Sequence, residues 1–100
     1  MRLLFPESVV ADVAASREWI AEDNPDASER FVSAVRAGCE VLLQHPQLGR
    51  PRSFTVPGIR SLLVPGFHNY LIFYRVKGDA VQIVTVVDGR RDLPAALKGR

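Results

Sequence analysis

Two hydrophobic periods divide this chain, and the change from one to the other falls in the proline-rich stretch that begins at His45-Pro46. Before it, apolar residues recur every three or four positions; after it, they alternate or run together in short β-branched and aromatic segments. From Glu7 to about Glu22, one helical face is marked by Val9, Val13, Ser16 and Ile20. Asp12, Arg17, Glu18 and Glu22 lie off that face, and Trp19 beside it suits core packing, the favoured reading, or a partner-binding anchor. From Pro25 to about Gln44 a second face is drawn by Ala27, Phe31, Ala34, Val35, Gly38 and Leu42. Helices of this kind need a surface to bury their apolar stripe, and the β-rich half supplies one.

Local punctuation sets the element boundaries. Arg2-Leu3-Leu4-Phe5 reads as a short strand stopped by Pro6, which cannot donate to a ladder and suits the start of a helix. Asn24 is a good N-cap, Pro25 suits the first helical position, and Asp26 complements the positive end of the helix dipole. So short a joint forces the two helices into an antiparallel hairpin. Gly38 inside the second helix costs on the order of 1 kcal/mol against alanine, which close approach of a neighbouring element would explain. Pro46 to Arg52 reads as a loop. Ile59 to Val64, Tyr70 to Val76 and Val81 to Val87 then read as strands, separated by Pro65 to Asn69 and by Lys77-Gly78-Asp79. A short turn or helix over Arg90 to Leu97 closes the chain.

The expected fold is therefore α+β over residues 1–100 as a single domain. An N-terminal strand and an antiparallel two-helix hairpin pack on one face of a mainly antiparallel sheet. In the segment from Tyr70 to Val76, Tyr70, Ile72, Tyr74 and Val76 point one way and Leu71, Phe73 and Arg75 the other. Both sets are partly apolar, yet two helices cover one face. Either this strand has a two-sided core, or a partner seals the second face.

Composition narrows the class of function. The chain is 47% hydrophobic and 24% charged, with seven glycines and seven prolines in no period, which excludes collagen-like, low-complexity and disordered chains. At 100 residues it buries somewhat more than roughly 60% of its unfolded surface, so function belongs on a surface or in a shallow cleft. The single cysteine, Cys39, has no disulfide partner and fits a reducing compartment as a small packed side chain. No segment has the length of a membrane span or the pattern of a signal peptide, so a cytoplasmic location is expected. His45 and His68 lack companion ligands nearby in sequence, and neither a metal nor a cofactor is expected.

The formal net charge of +2 conceals an asymmetry. Met1 to Gln44 carries four basic and eight acidic side chains, whereas His45 to Arg100 carries nine basic and three acidic. The halves stand at −4 and +6, an acidic helical hairpin joined to a basic sheet. That polarity suits a basic face turned toward nucleic acid or an acidic protein, and equally suits acid-rich helices beside strands decorated with arginine.

Several short motifs occur in a distinctive order: Trp19-Ile20-Ala21-Glu22-Asp23-Asn24-Pro25 at the helical joint, Leu48-Gly49-Arg50-Pro51-Arg52, Gly58-Ile59-Arg60-Ser61-Leu62, Asn69 to Val76, and Val87-Asp88-Gly89-Arg90-Arg91-Asp92-Leu93. In that succession, covering nearly the whole chain, the sequence resembles the RelE/ParE superfamily of bacterial toxins from type II toxin-antitoxin systems. The resemblance implies a growth-inhibiting toxin in a hetero-oligomeric complex, silenced by a cognate antitoxin, ParD-like, whose extended and helical tail wraps it.

The superfamily holds two activities. The RelE-like branch cleaves messenger RNA on the ribosome with basic groups on the exposed sheet face and a terminal tyrosine or histidine. Cleavage needs a base for the 2′-hydroxyl and cations for the developing oxyanion. Here Arg60 keeps a basic position, but the next position on that face is Leu62, and Leu71 stands where a catalytic arginine is expected. Arg90 or Arg91 fills the late arginine position, Asp88 replaces a histidine of the histidine-using relatives, and no tyrosine or histidine follows Tyr74. Such a chain is better matched to the ParE-like branch, which poisons DNA gyrase through a protein contact and is not an enzyme in that role. Arg60, Arg75, Arg90 and Arg91 are the expected target-binding residues, and Leu62, Leu71 and Phe73 the expected antitoxin-binding ones. No catalytic residue is assigned. Arg60 has a second reading as a cross-strand ion pair with Asp88, and Asp92 as a helix cap. Ribosome-dependent cleavage and a non-toxic, antitoxin-binding relic are the alternatives.

Overall fold

Residues 1–54 and 56–100 are described by a computed structural model. The elements are β1 (Arg2–Leu4), α1 (Glu7–Asp23), α2 (Pro25–Gln44), β2 (Arg50–Pro51), β3 (Arg60–Val64), β4 (Phe67–Lys77), β5 (Ala80–Asp88) and α3 (Leu93–Leu97). The five strands form one sheet in the order β1-β5-β4-β3-β2, in which β1 and β5 run parallel and the other neighbours antiparallel. The α+β architecture expected from the sequence is the one observed.

The helical joint forms as its residues dictate. The Asn24 side chain accepts a hydrogen bond from the Ala27 backbone N–H at 3.0 Å, and Pro25 opens α2. Val9 and Val13 of α1 meet Phe31, Val35, Cys39 and Leu42 of α2 over Tyr70, Ile72 and Tyr74 of β4 and Val81, Ile83 and Val86 of β5. Phe31 is the hub, with edge-on ring contacts to Phe67 and Tyr70, both at 5.1 Å between centroids. The cost of Gly38 has the expected cause: a Cβ there would stand 2.7 Å from Ile72 Cδ1 and 3.3 Å from Pro65 Cδ. Cys39 is buried in this core, and desolvation followed by the nearby Glu40 charge pushes its thiol pKa up to about 11.

Three strand details depart from the sequence reading. Arg50 and Pro51, expected in a loop, add a two-residue strand beside β3. Phe67, His68 and Asn69, expected in the turn, belong to β4, and the turn itself shrinks to Pro65-Gly66, with Gly66 at φ 82°. Between β4 and β5 the register slips, so that Phe73 faces Thr85 while Tyr74 faces Ile83, leaving Val84 as a bulge. The bulge resets the alternation: Ile83 and Val86 both face the hairpin, while Val84 and Val87 face the other way.

That other face is closed by the chain itself. Ile59, Phe73, Val84, Val87 and Leu97 form a second core, flanked by Phe54, Val56, Leu71, Leu93 and Ala96. Of the two possibilities for the strand from Tyr70 to Val76, the two-sided core is the one realised. Arg52 completes the cover by lying over the rings of Phe54 and Phe73, at 5.4 and 5.5 Å, and donating to Ser61 Oγ at 2.9 Å.

Candidate functional site

The four arginines expected to bind the target do not share one surface. Arg60, on β3, donates through Nη1 to the carbonyl oxygens of Gln47 and Gly49, at 3.1 and 2.8 Å. Its guanidinium thus holds the loop after α2. Tyr74 holds the same loop from below, donating to the Pro46 carbonyl and accepting from the Gly49 N–H, each at 2.8 Å. Arg75, near the opposite end of β4 from Asp88, donates from Nε to Gln82 Oε1 at 2.8 Å. The suggested pair of Arg60 with Asp88 does not form, because β4 separates their strands.

Asp88 pairs instead with Arg90. Nε of Arg90 reaches Oδ1 at 3.0 Å, Nη2 reaches Oδ2 at 2.6 Å, and the Arg90 backbone N–H adds a third bond to Oδ1 at 2.9 Å. This fork-on-carboxylate geometry fixes the arginine's direction. The side-chain bonds from Arg90, opposed by burial and assisted by the backbone bond, hold the Asp88 carboxyl below the usual aspartate range. Arg91 follows with its side chain exposed, and none of the three ion pairs among the described residues involves it. Asp92 caps α3 by accepting from the Ala95 N–H at 3.3 Å.

Arg90 and Arg91 lie at the mouth of a cleft of about 670 Å³ between α1, the end of β5 and α3. Its walls include Asp12, Ser16, Trp19, Tyr70, Val86 and Arg100. Trp19, favoured as a core residue from its sequence position, is 62% exposed here. Of its helical neighbours, Ala15, Ser16, Glu22 and Asp23, only Ser16 belongs to the stripe and it is the polar member, so no large apolar side chain draws Trp19 inward. Deeper in the cleft, Arg100 meets Asp12 at 3.0 Å and the Val84 carbonyl at 3.3 Å, and Asp12 also accepts from Thr85 Oγ1 at 2.8 Å. Burial, then the nearby Asp88 charge, pushes the Tyr70 phenol above its ordinary pKa against the opposing pull of Arg90 and Arg91, so it remains a neutral hydroxyl.

The apolar positions expected to seat the antitoxin are differently placed. Phe73 is fully buried at 0% exposure, Leu71 is half-buried against the same second core, and Leu62 is half-buried against the hairpin-side core. Phe73 offers nothing to a partner, because the C-terminal segment already covers it. The open apolar surface is elsewhere, in a groove of about 480 Å³ between β1, α1 and α2. Val13, Val35 and Cys39 line it together with Leu3, Val10 and Val32, of which Val10 is 54% exposed, and Arg17 and Arg36 also line it. Among the described residues no cluster of three or more His, Cys, Asp or Glu side chains is placed to hold a metal ion. No helix among the described residues is long and apolar enough to cross a membrane.

Residues 3–93 match the family model described as ParE toxin of type II toxin-antitoxin system, parDE. The chain belongs to the ParE toxin family. Among relatives of this ParE-family chain, Toxin RelE3 of Caulobacter vibrioides is 36% identical over 76 residues, which span 75% of this chain and 79% of that protein. Putative toxin Y4kP of Sinorhizobium fredii is 32% identical over 79 residues, 79% of this chain and 78% of that protein. A solved structure titled as the chromosomal ParDE TA system from P. aeruginosa superposes with a TM-score of 0.73 at 25% identity. That likeness covers 88% of this chain and 95% of the other, which agrees with a ParE-like fold.

Proposed function

We propose that this ParE-family toxin arrests growth by poisoning DNA gyrase through a protein contact, and that a ParD-like antitoxin silences it by direct binding. The observation that carries the target reading is the state of the groups an RNA-cleaving site would need. Arg60 is engaged by two loop carbonyls, Asp88 is paired with Arg90, and the Tyr74 hydroxyl is committed to Pro46 and Gly49, while the family resemblance implies that Leu71 stands in place of a catalytic arginine. With Arg60, Asp88 and Tyr74 so engaged, these groups do not offer the base and the neighbouring cations that phosphodiester cleavage needs.

The groove between β1, α1 and α2 supports the antitoxin reading. Its exposed Leu3, Val10 and Val32, with Arg17 and Arg36 against the single carboxylate of Glu40, suit the acidic amphipathic tail expected of such an antitoxin. The action is expected inside the cytoplasm, where gyrase is found. Purified toxin should inhibit gyrase supercoiling in a plasmid assay and leave messenger RNA intact on translating ribosomes. Ribosome-dependent cleavage with no effect on supercoiling would reverse the assignment in favour of the RelE-type activity. Unimpaired growth on expression without antitoxin would favour the non-toxic relic.

A further inference from the structure

We propose that the cleft between α1, the end of β5 and α3 is the surface through which the toxin engages its target, and that it receives an acidic polypeptide segment carrying an apolar anchor. Trp19 and Arg91 are its principal contacts. The proposal rests on the reading of the chain as a toxin and adds where and by what chemistry it acts.

Three observations carry it. First, the indole of Trp19 is 62% exposed and belongs to neither core, although Val9 and Val13 on the same helix are buried. A large aromatic side chain that the fold leaves in solvent beside a cleft is the type of residue that dominates binding energy at interfaces. Second, two ion pairs are already made in the cleft, Asp88–Arg90 and Asp12–Arg100, so these four side chains are oriented before a partner arrives. Third, the charge left over is small and localised. Arg90 and Arg100 are matched by Asp88 and Asp12, and Arg91 remains without an ion-pair partner among the described residues.

That balance selects the occupant. A nucleic acid strand is held by several unpaired cations along a track of phosphates, and here two carboxylates sit in the cleft beside the arginines. One open guanidinium and one exposed indole lining the same cleft instead match a carboxylate and an apolar side chain carried on one polypeptide segment. The neutral Tyr70 hydroxyl at the wall adds a polar group able to meet a backbone carbonyl.

The test compares wild type with Trp19→Ala, Arg91→Glu and Arg91→Lys, reading growth arrest on induction without antitoxin, antitoxin affinity by calorimetry, and thermal midpoint. Both Trp19→Ala and Arg91→Glu should restore viable counts by at least tenfold, with antitoxin affinity within twofold of wild type and an unchanged midpoint. Arg91→Lys, which keeps the charge, should retain most of the arrest. Full arrest by both variants, with wild type toxic, overturns this proposal and leaves the toxin reading standing. Parallel loss of arrest and antitoxin affinity overturns it by assigning the cleft to the antitoxin. Because Trp19 is the sole tryptophan, its emission also reports the competing occupant. Strong quenching by a 12-nucleotide single-stranded RNA would overturn the choice of a polypeptide, and no quenching is expected. A wild-type chain without effect on growth overturns the toxin reading and this proposal together.

Discussion

The two faces of the sheet are buried by very different means. The hairpin side is covered by helices of 17 and 20 residues, joined by a capped turn and packed over a continuous apolar floor. The opposite side is covered by a five-residue helix and by the segment around Phe54, with Leu97 as the fully buried member contributed by the C-terminus. A short isolated helix has almost no stability of its own, so its place depends on what it covers. The comparison teaches that the first face defines the fold, whereas the second is a cover that opens locally with less disruption.

The largest effect that probes this difference is expected from Phe31→Ala. Phe31 is fully buried and joins α2 to both Phe67 and Tyr70, so its truncation should cost about 3–5 kcal/mol in denaturant unfolding. Leu97→Ala is the matched test on the other face and should cost about 2 kcal/mol, near the lower end for buried leucine, because α3 is able to shift into the space. Amides of α3 should also exchange with solvent faster than those in the middle of α2. Equal destabilisation by the two truncations, with equal protection of both helices, would break the comparison.

How much of this was legible in the sequence follows from the same asymmetry. The hairpin face was readable because each signal is local: Asn24 and Pro25 mark the joint, the stripe from Ala27 to Leu42 marks the face, and Gly38 marks the point of closest approach. The second face was not, because its cover comes from Leu93 and Leu97, some twenty residues beyond Phe73 and without a period to connect them. Phe73 therefore looked like ground for a partner. The bulge at Val84 likewise hides in a run of β-branched residues that fits either register. Of the candidate residues, Arg90 and Arg91 line one cleft, but Arg60 was not recognised as a loop clamp. Its partners are backbone carbonyls, which carry no side-chain signature.

The loop that Arg60 and Tyr74 hold gives a smaller test, on the hairpin side. Tyr74→Phe keeps the ring but strips the Pro46 carbonyl and the Gly49 N–H of their partner, which should cost about 1–3 kcal/mol. The loss should appear as faster exchange at Gly49 as well as a lower unfolding midpoint. Were the effect confined to the midpoint, the hydroxyl would be stabilising the core rather than the loop.

The smallest effect concerns pH and the edge of the cleft where the second face ends. Asp88 has its folded-state carboxyl pKa held below the ordinary aspartate value of 3.8, first by the Arg90 side chain. A group whose pKa is lower in the folded than in the unfolded state binds fewer protons when folded, so it adds stability above its unfolded pKa. That contribution is lost as pH falls from near 3.8 through the depressed folded value. Asp88→Asn should therefore lower stability slightly at neutral pH and flatten its decline in acid, as measured by urea midpoints from pH 7 to pH 2.5. Most of the Arg90 side chain is in solvent, so salt should weaken the difference between the two proteins. An acid limb of unchanged slope in Asp88→Asn would mean that the fork orients Arg90 without stabilising the fold.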